Sequence, residues 1–91
     1  MSIHTEIKAG DFVTSVSGRD KNRYYVVMTA DGKMVEICDG DLHKIDRKKK
    51  KNIKHIKPVM SCDETLKEKI ARGDKITDSE IRKALKVFKE N

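Results

Sequence analysis

A small β-barrel followed by two C-terminal helices is the fold that this 91-residue sequence predicts. Three observations lead there. Short runs of β-branched and aromatic residues recur at close spacing in the first half of the chain. Glycine-bearing turn dipeptides separate those runs, and in the last third the apolar spacing becomes helical.

The elements follow in order. Phe12-Val13-Thr14-Ser15-Val16 reads as a strand that ends at Ser17-Gly18, a turn signal. Tyr24-Tyr25-Val26-Val27-Met28-Thr29 is a second strand, rich in residues that pack well on a pleated surface. Asp31-Gly32 supplies the positive φ of a tight hairpin, and Met34-Val35-Glu36-Ile37-Cys38 is the return strand. Asp39-Gly40 makes another turn, after which Leu42–Ile45 is expected as a short fourth strand. Gly18, Gly32 and Gly40 are thus the turn glycines, and Val27 and Ile37 are candidates for the inward face. Tyr24 and Tyr25 are neighbours in a strand, so one enters the core while the other is open to base stacking near Arg19 and Arg23. Ile53, His55 and Ile56 are expected to anchor a closing strand, which Pro58 ends because proline cannot donate to a sheet ladder.

Beyond Pro58 the pattern is helical. Asp63 caps a helix from Glu64 to Arg72, with Leu66 and Ile70 one turn apart and Gly73 as its stop. Thr77 or Asp78 caps a second helix to about Glu90, and Thr77 with Glu80 has the spacing of a capping box. Ile81, Ala84, Leu85 and Phe88 form one apolar stripe, expected to dock on the barrel. The domain division is therefore a barrel over residues 1–58, with a basic closing segment at 47–57, and a helical extension over 59–91.

Composition bounds the function. A chain of this length has room for one core, and 36% hydrophobic residues with no Trp leave little for a deep substrate pocket. No glycine-rich phosphate loop runs from a strand into a helix, and turn chemistry accounts for Asp39 and Asp41 without a catalytic dyad. Cys38, His43, His55 and Cys62 carry zinc donor atoms but lack the short paired spacings of a zinc site. The expectation is a non-enzyme with no cofactor, metal or small-molecule substrate. Met1-Ser2-Ile3-His4 opens no signal peptide, and no apolar run is long enough to span a bilayer. The two cysteines read as reduced thiols, and the expected compartment is the cytoplasm.

Charge is the strongest functional signal. The formal net charge is +6, but its distribution is uneven. Residues 1–46 carry a balance of −2, residues 58–91 carry +1, and residues 47–57 carry +7 with no acid at all. Such a block concentrates positive potential where a polyanion could use it. Most lysine blocks are solvated tails; this one is internal and interleaved with Ile53, His55 and Ile56, which argues for a tethered surface.

Gly10-Asp11-Phe12-Val13, then Ser17-Gly18-Arg19-Asp20-Lys21, then Tyr25-Val26-Val27 resembles a KOW motif, centred on Gly18. Asp39-Gly40-Asp41-Leu42-His43-Lys44, the Lys48–His55 run and Thr77–Leu85 extend the resemblance to the small bacterial KOW-domain proteins, which are related to archaeal and eukaryotic large-subunit ribosomal proteins. The likeness covers about Gly10 to Leu85. It implies an SH3-like β-barrel that binds RNA, commonly ribosomal RNA, as a ribosomal or ribosome-associated protein with ribosomal proteins as neighbours. The residues expected to contact RNA are Arg19, Lys21, Arg23, His43, Lys44, Arg47, Lys48, Lys49, Lys50, Lys51, Lys54 and His55. Arginine suits such a loop because its planar fork grips phosphate and stacks on bases. The lysines would track phosphates with little sequence information.

Two other readings stand beside this one. The barrel or the amphipathic C-terminal helix could instead recruit a protein in a transcription or translation complex, although scarce aromatics weigh against a peptide groove. Binding to an anionic membrane by the polybasic run lacks a second membrane signal.

Overall fold

The computed structural model describes residues 7–16 and 23–90. Over them the chain forms five strands and two helices: β1 (Asp11–Ser15), β2 (Tyr24–Ala30), β3 (Met34–Cys38), β4 (Lys49–Asn52), β5 (Ile56–Cys62), α1 (Glu64–Arg72) and α2 (Asp78–Glu90). The strands make one antiparallel sheet in the order β4-β3-β2-β1-β5. This is the expected small barrel followed by two helices.

Both faces of the sheet are buried, and strand alternation divides them. Val13, Tyr25, Val27, Val35 and Ile37 face the barrel interior with Ile7 and Ile56. Phe12, Val26 and Cys38 face the other way, onto Leu66, Ile76, Ile81, Ala84 and Leu85. The register agrees, since Val13 lies opposite Tyr25 and Val27 opposite Ile37, while Phe12 lies opposite Val26 and Val26 opposite Cys38. The α2 stripe is therefore spent on the sheet. Phe88 completes it by meeting the rings of Phe12 and Tyr24 edge-on, each at 5.3 Å between centroids.

Caps set the helix ends where the sequence puts them. Asp63 Oδ1 accepts from the Leu66 amide at 3.0 Å, and Gly73 ends α1 at φ +77°. The Thr77 amide donates to Glu80 Oε1 and the Glu80 amide to Thr77 Oγ1, a reciprocal capping box. Lys69 reaches Glu80 at 2.8 Å and holds that carboxyl below the ordinary glutamate range. Lys67 ties α1 to β1 through Asp11 at 2.6 Å.

Three expectations need correction. Leu42–Ile45 is not a strand: Asp39 Oδ1 accepts from the amides of Asp41 and His43, which folds the segment into a turn. The Ile45 amide goes to Asp78 Oδ1 at 2.8 Å, and a 3-10 turn follows at Ile45–Arg47. The fourth strand is instead Lys49–Asn52, inside the basic run. Pro58 does not end the closing segment either. It lies within β5 opposite Val13, and β5 continues to Cys62, so the sheet extends past the expected boundary at 58. Proline is tolerated there because β5 is an edge strand. The register then slips across Asp11–Val13, where Met60 takes φ +56° and stands in solvent.

The two thiols differ in setting. Cys38 is fully buried, and desolvation, helped by Asp78 and Asp39, pushes it up to about 12, while Cys62 is half-buried. Iodoacetamide at mildly alkaline pH is expected to modify Cys62 first and to reach Cys38 only on unfolding. Mass spectrometry of the native and denatured protein checks this. Modification of Cys38 at the same rate as Cys62 in the native state would contradict the burial.

Candidate nucleic-acid interface

The antiparallel register gathers the basic segments at one end of the barrel. The end of β1, the start of β2, the end of β3 and the starts of β4 and β5 lie together, as the pairs Thr14–Tyr24, Val26–Cys38, Ile37–Lys49 and Ser15–Ile56 require. Residues 39–48 approach this end, and the 3-10 turn Ile53–His55 runs back to it from the β2–β3 hairpin, reaching Val16 at His55. Val16 and Arg23, which flank residues 17–22 in the sequence, lie there. Gly18, Arg19 and Lys21 fall in that stretch, outside the described residues.

Backbone bonds fasten the closing segment. The Val16 amide donates to the His55 carbonyl at 3.0 Å, and the Ile53 amide to the Lys33 carbonyl at 2.7 Å. Asn52 Oδ1 caps the 3-10 turn by accepting from the Lys54 amide. Ile53 and Ile56 pack on the barrel core as expected. His55 is held through its backbone while its side chain is exposed.

The lysine run does not present one uniform face. β4 lies opposite β3 with Lys49 facing Ile37, Lys50 facing Glu36 and Lys51 facing Val35. Side chains directly opposite share a face, so Lys49 and Lys51 lean toward the barrel interior and both are half-buried. Lys51 Nζ donates to Ser15 Oγ at 2.8 Å, across the gap between β4 and β1. Lys50 points outward beside Glu36, which Thr29 Oγ1 holds at 2.9 Å. Lys48 is exposed on that same alternation.

Other predicted residues divide similarly. Arg23, Lys44, Arg47, Lys54 and His55 are exposed. His43 is half-buried with its ring 5.9 Å from that of Tyr25, so its role in the turn is structural packing as well as position. Tyr24 leans on Phe88, which uses the surface that base stacking would need. Lys57 was not among the predicted contacts, yet it is exposed opposite Thr14. Its place inside the +7 segment was the available signal.

Ion pairs among the described residues are concentrated on the helices. Lys67, Lys69 and Arg72 pair with Asp11, Glu80 and Asp74. Arg47, Lys48, Lys50, Lys54 and Lys57 form no ion pair among the described residues. Among those residues, too, no three His, Cys, Asp or Glu side chains converge on a metal position. No helix among them is long and apolar enough to cross a membrane. No family model matches the chain, and no curated protein matches it.

Proposed function

We propose that this is a cytoplasmic RNA-binding protein of KOW type, acting on ribosomal RNA as a ribosomal or ribosome-associated factor. The observation that carries the reading is the end-on cluster of exposed cations from Arg47 to Lys57, which have no ion-pair partners among the described residues. A lysine-bearing edge strand also discourages strand-to-strand aggregation, and β4 is such an edge. Edge protection accounts for Lys50, and for Lys57 on the other edge strand β5, but not for Arg47 or Lys54, which lie outside both strands. The resemblance at Gly10–Val27 and Asp39–His55 supports RNA over other polyanions.

The competing reading, a protein-recruitment module, loses one of its two surfaces. The α2 stripe is buried against β1 and β2, leaving Val87 as its exposed apolar neighbour. Crosslinking in cells followed by sequencing of the attached RNA tests the proposal. Crosslinks concentrated at one ribosomal RNA locus are expected. Crosslinks to protein alone would overturn it in favour of recruitment.

A further inference from the structure

Lys51 lies on the core side of the basic run. Its register partner Val35 points into the barrel, so the lysine stem lies over the core and its ammonium reaches Ser15, which is 1% exposed. Ser15 ends β1, and the next residue, Val16, takes the His55 carbonyl through its amide. The strand that leads into the Ile53–His55 crossing and the end of that crossing are thus fastened to consecutive residues, Ser15 at the end of β1 and Val16 just beyond it. One fastening is a side chain from β4, the other a backbone bond at the entry to β5. Those two residues lead directly into 17–22, the stretch that carries Arg19 and Lys21.

We propose that Lys51 is a positioning residue: through Ser15 it holds the basic crossing in register with the end of β1, and it does not itself contact phosphate. The proposal rests on the RNA-binding reading for its consequence, while the brace itself is a property of the free protein. A charge directed at a buried hydroxyl is held on the core side of β4, whereas Lys48 and Lys50 stand on the opposite side. Lysine is suited to the task because its apolar stem can cross the barrel gap and its ammonium can still find an acceptor at the far side.

The test compares Ser15→Ala, Lys51→Met, the double variant and Lys51→Arg in the whole chain, with a fluorescently labelled RNA hairpin as probe. Ser15→Ala removes no charge, yet it is expected to weaken RNA binding about three- to tenfold with the salt dependence unchanged. Lys51→Met should do the same, the double variant should add little, and Lys51→Arg should recover most of the loss. In the RNA-free protein, hydrogen exchange at the Val16 amide should speed up in Ser15→Ala and Lys51→Met alike. The proposal is overturned if Lys51→Met lowers the log–log salt slope by about one while Ser15→Ala leaves affinity and exchange unchanged. Lys51 would then be an ordinary phosphate contact. Failure of the unaltered chain to bind the hairpin would remove the RNA reading, and exchange at Val16 would still decide the brace.

Discussion

Alanine at Gly40 is expected to destabilise the fold by about 3 kcal/mol, lowering Tm by roughly 12–24 °C. Two costs combine. Gly40 has φ +76°, a left-handed conformation that costs an L-residue about 1–2 kcal/mol. A Cβ there would also collide with the Asp78 carbonyl oxygen and sit 2.9 Å from Arg82 Cγ, and overpacking of this kind costs about 1–3 kcal/mol. The backbone oxygen cannot step aside, because Asp78 begins α2 and its carboxylate holds the Ile45 amide. Arg82 meanwhile donates to the Gly40 carbonyl itself. Gly32→Ala is the control. Its φ is +94°, but nothing lies within 4 Å of an added Cβ, so about 1 kcal/mol of backbone strain is expected alone. Thermal melts followed by circular dichroism decide it. Equal losses for the two alanines would mean that α2 does not approach the turn so closely.

The second large effect concerns binding. Changing Lys48 and Lys50 together to Gln should weaken RNA affinity by about 2 kcal/mol, roughly 30-fold at fixed salt, if each lysine neutralises one phosphate. Both side chains project outward, so the melting temperature should barely move. Lys83 and Lys86 provide the matched comparison, being exposed on α2 with the same charge. Their double change to Gln should weaken binding no more than about threefold, through the long-range field alone. A similar loss from both pairs would show that total charge, rather than the barrel end, attracts RNA.

The helices and the first three strands were legible because their signals are local. Asp63, Gly73 and the Thr77–Glu80 pair act within one turn of themselves, and Asp31-Gly32 makes its hairpin from two residues. Tyr24–Thr29 shows no clean alternation of apolar and polar residues, and the fold accounts for it. Tyr25 and Val27 face the barrel while Val26 faces the helices, so apolar residues are needed on both sides of β2. The fourth strand was not legible, since Lys49-Lys50-Lys51-Asn52 has no β-branched or aromatic residue. Its conformation comes from pairing with β3. Leu42 and Ile45 carried the apolar signal instead, but Asp39 claims the local amides for a turn. Misplacing that strand hid the division within the lysine run. A register against Val35 and Glu36 is needed before Lys51 can be told from Lys50, and nothing within the run itself supplies it. Arg19 and Lys21 remain a sequence expectation, with only their flanking residues Val16 and Arg23 placed beside the basic end.

The central claim is that the barrel end binds RNA through several phosphates at once. Its most direct measurement is the affinity of the whole chain for an RNA hairpin across a range of salt concentrations. Release of counterions from about five to eight phosphates predicts a log–log slope of magnitude around 3 to 6. A slope near zero, or no binding at low salt, would contradict it.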